Sequence, residues 1–228
     1  MKIRIEANLK RNDDAPATPP WWTRTIAVPM MAIVATLLLT AVLAGSVLIL
    51  ILHPSSEIDT GPQAPPSATF LRTDTVTQGS WKTVYGSGGY AIADDSDKFP
   101  KFAHVGLPDK PHSTFWVDQV DEPRALQKAN GTKRIAGTWF AWGPFTIDVD
   151  LTDSRTHRLA LYVIDWDSVT RVENIEILDG IDRRLLDARQ VSKFNGGQYL
   201  IWKTSGHTII RITPVAGANA VASGVFLD

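Results

Sequence analysis

From Phe70 onward, hydrophobic and polar residues alternate with a period of two. Phe145, Ile147, Val149 and Leu151 fall on one face of an extended chain, and Thr146, Asp148 and Asp150 on the other. That pattern predicts a half-buried antiparallel strand. His157 to Asp165 is apolar on both faces and predicts a central strand. Further strands are expected at Trp81–Tyr85, Tyr90–Ala93, Ala103–Val105, Ser113–Trp116, Arg134–Phe140, Asn174–Leu178, Leu185–Val191, Tyr199–Lys203, Thr208–Thr213 and Ala220–Leu227. Turn-forming clusters separate them: Gly88-Gly89, Asn130-Gly131, Asp179-Gly180, Asn195-Gly196-Gly197 and Ser205-Gly206. Asp121 to Asn130 is the one segment of this region expected to form a helical turn. Many short strands with regular turns predict an all-β, jelly-roll-like antiparallel β-sandwich over residues 70–228.

Ahead of this region the pattern is different. Ile26 to Leu52 carries no charge, and its only polar side chains are Thr36, Thr40 and Ser46. About 27 residues at ~1.5 Å each make roughly 40 Å of helix, enough to cross a bilayer core of ~30 Å. One transmembrane α-helix is therefore expected at 26–52. Lys2, Arg4, Lys10, Arg11 and Arg24 precede it, and no Lys or Arg follows until Arg72. This asymmetry places residues 1–25 in the cytoplasm as a short tail and the C-terminal domain outside. Trp21 and Trp22 stand where membrane-interface anchors belong. The apolar run is about twice the length of a cleaved leader's, so a retained signal anchor in a bacterial inner membrane is expected, with the domain in the periplasm. Ala32, Thr36, Thr40 and Ala44 form a ridge of small residues, and Ala41 and Gly45 form a second pair. Both would let a partner helix approach closely. Residues 53–69 hold four prolines and read as a semi-rigid linker.

Composition narrows the function. A net charge of −1 gives no excess of cations for nucleic acid, and zero cysteines remove disulfides and thiolate metal sites. Eight tryptophans are present, six of them after residue 70.

Several strings resemble a known module: Asp74-Thr-Val-Thr-Gln-Gly-Ser-Trp81, Tyr85-Gly86, Gly89-Tyr90, Arg124-Ala-Leu-Gln-Lys128, Phe145-Thr-Ile-Asp-Val149, Ala160-Leu-Tyr162, Asp165-Trp-Asp167, Gly197-Gln-Tyr-Leu-Ile-Trp202, Ser205-Gly-His207 and Ala218-Asn-Ala-Val221. Together they are similar to a β-sandwich module found at the C-termini of bacterial exported and surface proteins. That module looks like the galactose-binding-like jelly rolls. The resemblance implies recognition or packing and carries no catalytic residues. The module ordinarily ends long multidomain chains, whereas here it follows a single anchor.

Candidate chemistry is sparse. The five histidines show no metal-ligand spacing, and nothing fits a nucleophile elbow. Gly86-Ser-Gly-Gly-Tyr-Ala91 nominally fits a dinucleotide fingerprint but lies between strands, so a turn is expected. Asp94, Asp95 and Asp97 share one loop, either as a solvated turn or as a calcium site; no other cofactor is expected. Asp165 and Asp167 are expected to cap a turn or to pair with Arg171. Trp116, Trp139, Phe140 and Trp142 are the candidate binding residues, because flat rings at a loop edge stack on sugars or fill partner pockets. Trp142 is the ring most expected to be exposed. The expectation is a non-catalytic accessory subunit of a larger membrane complex, with lipid and integral-membrane partners. The alternative is a tethered carbohydrate-binding module for glycan or peptidoglycan.

Overall fold

The computed structural model describes residues 63–228. The expected tail, membrane helix, interface tryptophans and small-residue ridge, with most of the linker, lie outside the described residues. Among those described, no helix is long and apolar enough to cross a membrane.

The fold is all-β, with every paired strand antiparallel. Fifteen strands follow in chain order: β1 Ser67–Asp74, β2 Gly89–Ile92, β3 Ser96–Lys98, β4 Ala103–Gly106, β5 His112–Val120, β6 Leu126–Gln127, β7 Arg134–Ala141, β8 Phe145–Leu151, β9 His157–Val163, β10 Val172–Asp179, β11 Leu185–Ser192, β12 Gln198–Ser205, β13 His207–Ala216, β14 Ala220–Ala222 and β15 Gly224–Leu227. A six-stranded sheet runs β1-β12-β9-β15-β2-β3, and a five-stranded sheet runs β11-β10-β13-β8-β4. A third sheet runs β14-β7-β5, with β6 also paired to β7.

The first two sheets share one core. Leu159, Leu161, Val163, Leu200, Trp202 and Val225 of the six-stranded sheet pack with Phe145, Ile147, Val149, Ile175, Ile177, Ile210 and Ile212 of the five-stranded sheet. The Trp202 indole N–H is satisfied there by Asp187 Oδ2 at 2.7 Å. The reverse face of the six-stranded sheet is also covered. Ala160, Tyr162, Tyr199, Ile201 and Phe226 join Trp81, Tyr85, Leu126 and Ile135 in a second core. Strand β9 contributes Leu159, Leu161 and Val163 to the first core and Ala160 and Tyr162 to the second, so both faces of its sequence are apolar. On β8, by contrast, Thr146, Asp148 and Asp150 stay partly exposed.

Four sequence expectations change. Trp81–Tyr85 is a 3₁₀ turn over Trp81–Thr83, not a strand; the amides of Val84 and Tyr85 both donate to the Trp81 carbonyl at 2.8 Å. Trp81 and Tyr85 then both reach the second core. Asp121–Asn130 forms no helix. Turns bring Leu126 into register with Ile135 on β7, where pairing and burial outweigh local helix propensity. The linker stops before Ser67, because Phe70 finds an edge-on contact with Trp202 at 5.6 Å and β1 pairs along β12. Ala220–Leu227 is two strands in different sheets. At the crossing residue, the Ser223 amide donates to Tyr162 O and its carbonyl accepts from the Ala93 amide.

Candidate functional site

Strand β7 distributes the predicted aromatics. Trp139 turns inward and is 7% exposed, Phe140 is partly buried at the edge of the first core, and Trp142, just past the strand's end, is exposed. Cross-strand register places His112 opposite Phe140, and their rings stack at 5.0 Å and 24°. Trp142 stands edge-on to both, 4.9 Å from His112 and 5.5 Å from Phe140. It is 69% exposed, as expected for the ring at the Gly143-Pro144 turn. His112 precedes the strand expected at Ser113–Trp116; its place in this cluster follows from a pairing register that local pattern does not encode.

The cluster and the incoming chain lie at opposite ends of β8. Gln63 Nε2 donates to Asp150 Oδ1 at 2.6 Å and to Leu151 O at 3.0 Å, beside the strand's last residues. Trp142 lies three residues before its first. Seven residues at ~3.4 Å separate the two by roughly 20 Å.

Trp139 borders a second feature. A cleft of about 540 Å³ has Ala91, Phe99, Val105, Leu107, Trp139 and Ile147 among its apolar lining and Asp94, Asp95, Ser96 and Asp97 as its polar side. Residues expected to serve two separate purposes therefore surround one cavity. Asp95 Oδ2 accepts the Ala129 amide at 2.8 Å and the Ser96 hydroxyl at 3.3 Å. Among the described residues, no three His, Cys, Asp or Glu side chains are placed to hold a metal ion.

Trp116 belongs to neither feature. It sits half-buried in β5 where the β5–β7 register shifts, with the Arg171 guanidinium 5.9 Å from its ring. Arg171 in turn bridges Asp165 and Asp167, and its Nε donates to Asn219 Oδ1 at 2.9 Å. Asp165 also accepts the Arg171 amide at 3.1 Å and the Ser168 hydroxyl at 2.9 Å. Burial alone would raise the Asp167 carboxyl, but the Arg171 hydrogen bond and charge outweigh it and hold it low. The expected pairing with Arg171 is thus present. Beside it lies Glu173, a residue no sequence pattern singled out. Its Oε1 accepts the Val221 amide at 2.8 Å, while its Oε2 is buried without a partner. Burial pushes this carboxyl up to about 8, against the opposing pull of the Val221 amide and Arg171.

The histidines that pair do so with carboxylates: His157 with Asp153 and His207 with Asp148, each at 3.0 Å. The glycine-rich Gly86–Ala91 segment turns into strand β2, and its Ser87 amide donates to Asp228 Oδ1 at 2.8 Å. No helix follows, so the nominal fingerprint is a turn.

No protein-family model matches the chain, and no curated protein is similar to it at a significant level. Among solved structures, TmCBM61 in complex with β-1,4-galactotriose aligns at a TM-score of 0.27 and 11% identity, over 56% of this chain and 85% of its own. A likeness that slight carries no inference about fold or ligand.

Proposed function

We propose that this chain is a non-catalytic recognition protein whose domain, a jelly-roll-like sandwich, binds glycan through the His112–Phe140–Trp142 cluster. One observation carries the reading: a tryptophan 69% exposed, held in place by two further rings rather than left free. An indole so displayed forgoes the burial that ordinarily stabilises it, and it suits stacking on a sugar face. Engagement of Asp165 and Asp167 by Arg171 supports the non-catalytic reading, since this closely spaced carboxylate pair is committed to structure.

The full-length protein in mild detergent should be retained on insoluble peptidoglycan or β-linked polysaccharide. Trp142→Ala should abolish retention while leaving the melting temperature within about 1–2 °C, because the ring lies outside both cores. Retention of the variant at full strength would remove the cluster from the site.

The apolar run at 26–52 and the basic residues before it support an inner-membrane anchor with the domain in the periplasm. Protease added to spheroplasts should digest the domain; protection would overturn that placement. The Ala32/Thr36/Thr40/Ala44 ridge supports a second reading, an accessory subunit of a larger membrane complex, tested by stoichiometric co-purification of membrane partners.

A further inference from the structure

We infer that the cleft beside Trp139 binds an organic ammonium ion, a primary amine carried on an apolar or ring-shaped body. At about 540 Å³ it falls within the range of small-molecule sites, and it is open to solvent. Ala91, Phe99, Val105, Leu107 and Ile147 give it an apolar portion, and Trp139, an otherwise buried indole, lines it too. An apolar floor alone would suit any greasy ligand; the polar side decides the charge.

Asp94, Asp95 and Asp97 line the cleft, and no Lys or Arg does. Among the described residues none of the three forms an ion pair, whereas Asp118, Asp165, Asp167, Asp187 and Asp228 all do. The three carboxylates do not converge as metal ligands. A spread of negative charge over an aromatic and aliphatic floor matches a cation with a body: the ammonium donates to carboxylate oxygens while the skeleton covers Trp139. Neutral or anionic ligands of the same shape gain only the floor.

The site is independent of the glycan cluster, because Trp139 and Trp142 serve different features of β7. The test uses the full-length protein in mild detergent, titrated with cyclohexylammonium and separately with cyclohexanol, a neutral molecule of nearly the same shape. Indole N–H resonances report binding. The ammonium should bind saturably, at least about tenfold tighter than the alcohol. The double variant Asp94→Asn/Asp97→Asn, at two exposed positions, should lose that preference with its melting temperature unchanged, and Trp142→Ala should keep it. Equal affinities, an unaltered double variant, or no saturation at tens of millimolar would each overturn the assignment. Full polysaccharide retention by Trp142→Ala would sink the glycan reading and leave this one standing, so the two proposals fail separately.

Discussion

Glu173 should make this domain less stable as the pH rises toward 8. The carboxyl is fully buried on β10, with one oxygen satisfied by the Val221 amide and the other unpartnered. Its folded-state value lies near 8, against an ordinary 4.5. Between those values the folded chain keeps a proton that the unfolded chain releases, so each unit of pH gained favours unfolding; above 8 both states are ionised and the penalty levels off. By pH 7 the gap of roughly two and a half units is worth about 3 kcal/mol, an order-of-magnitude figure. Glu173→Gln retains an acceptor for Val221 and cannot ionise. It should match the wild type near pH 5 and exceed it by about 3 kcal/mol at pH 7, or roughly 6–12 °C in melting temperature for a domain of this size. Thermal melts followed by near-ultraviolet circular dichroism at pH 5, 7 and 8.5 provide the comparison. A difference that stays constant with pH, or a variant less stable at pH 8.5, would show that Glu173 is not the buried acid described.

Further perturbations test the packing. Burial would raise the Asp74 carboxyl, but hydrogen bonds from Thr77, Tyr85 and the Val76 amide hold it at about 2. Asp74→Ala should therefore cost about 2 kcal/mol at pH 7 in urea melts, with the deficit fading as the pH falls from about 4 toward 2. Arg171→Leu should cost about 3–5 kcal/mol by the same assay, because it strands the buried Asp165 charge. Gly197→Ala should destabilise by more than about 2 kcal/mol, since φ is +75° and an added Cβ would lie 1.7 Å from the Tyr162 hydroxyl oxygen. An unchanged midpoint in any of these would count against the contact named.

Residues whose burial is decided within one strand were readable in advance. The alternation of Phe145 to Leu151 and the two-faced hydrophobicity of Leu159 to Val163 each report a local environment, and both strands lie where expected. Trp81 and Tyr85 illustrate the limit: separated by four residues, they fit a helical turn, and with Thr83 between them they fit a strand equally well. Only the second core selects the turn. Pro65 and Pro66 disguised the start of β1, whose partner β12 lies more than a hundred residues away. The aromatics behaved similarly. The exposure of Trp142 followed from its turn, but its companion His112 and the approach of Trp139 to Asp94, Asp95 and Asp97 depend on long-range register.

The way β1 is attached bears on how this domain withstands load. The chain arrives at Ser67, opposite Ser205, and β1 then runs antiparallel along β12 as far as Asp74, opposite Tyr199. A pull on the arriving chain, taken up by a load applied beyond Asp74 at the other end of β1, acts along the strand rather than across it. The β1–β12 hydrogen bonds are then strained in shear and must give way together instead of opening one after another like a zip. Loaded between those two ends, the domain resists in its mechanically strong direction.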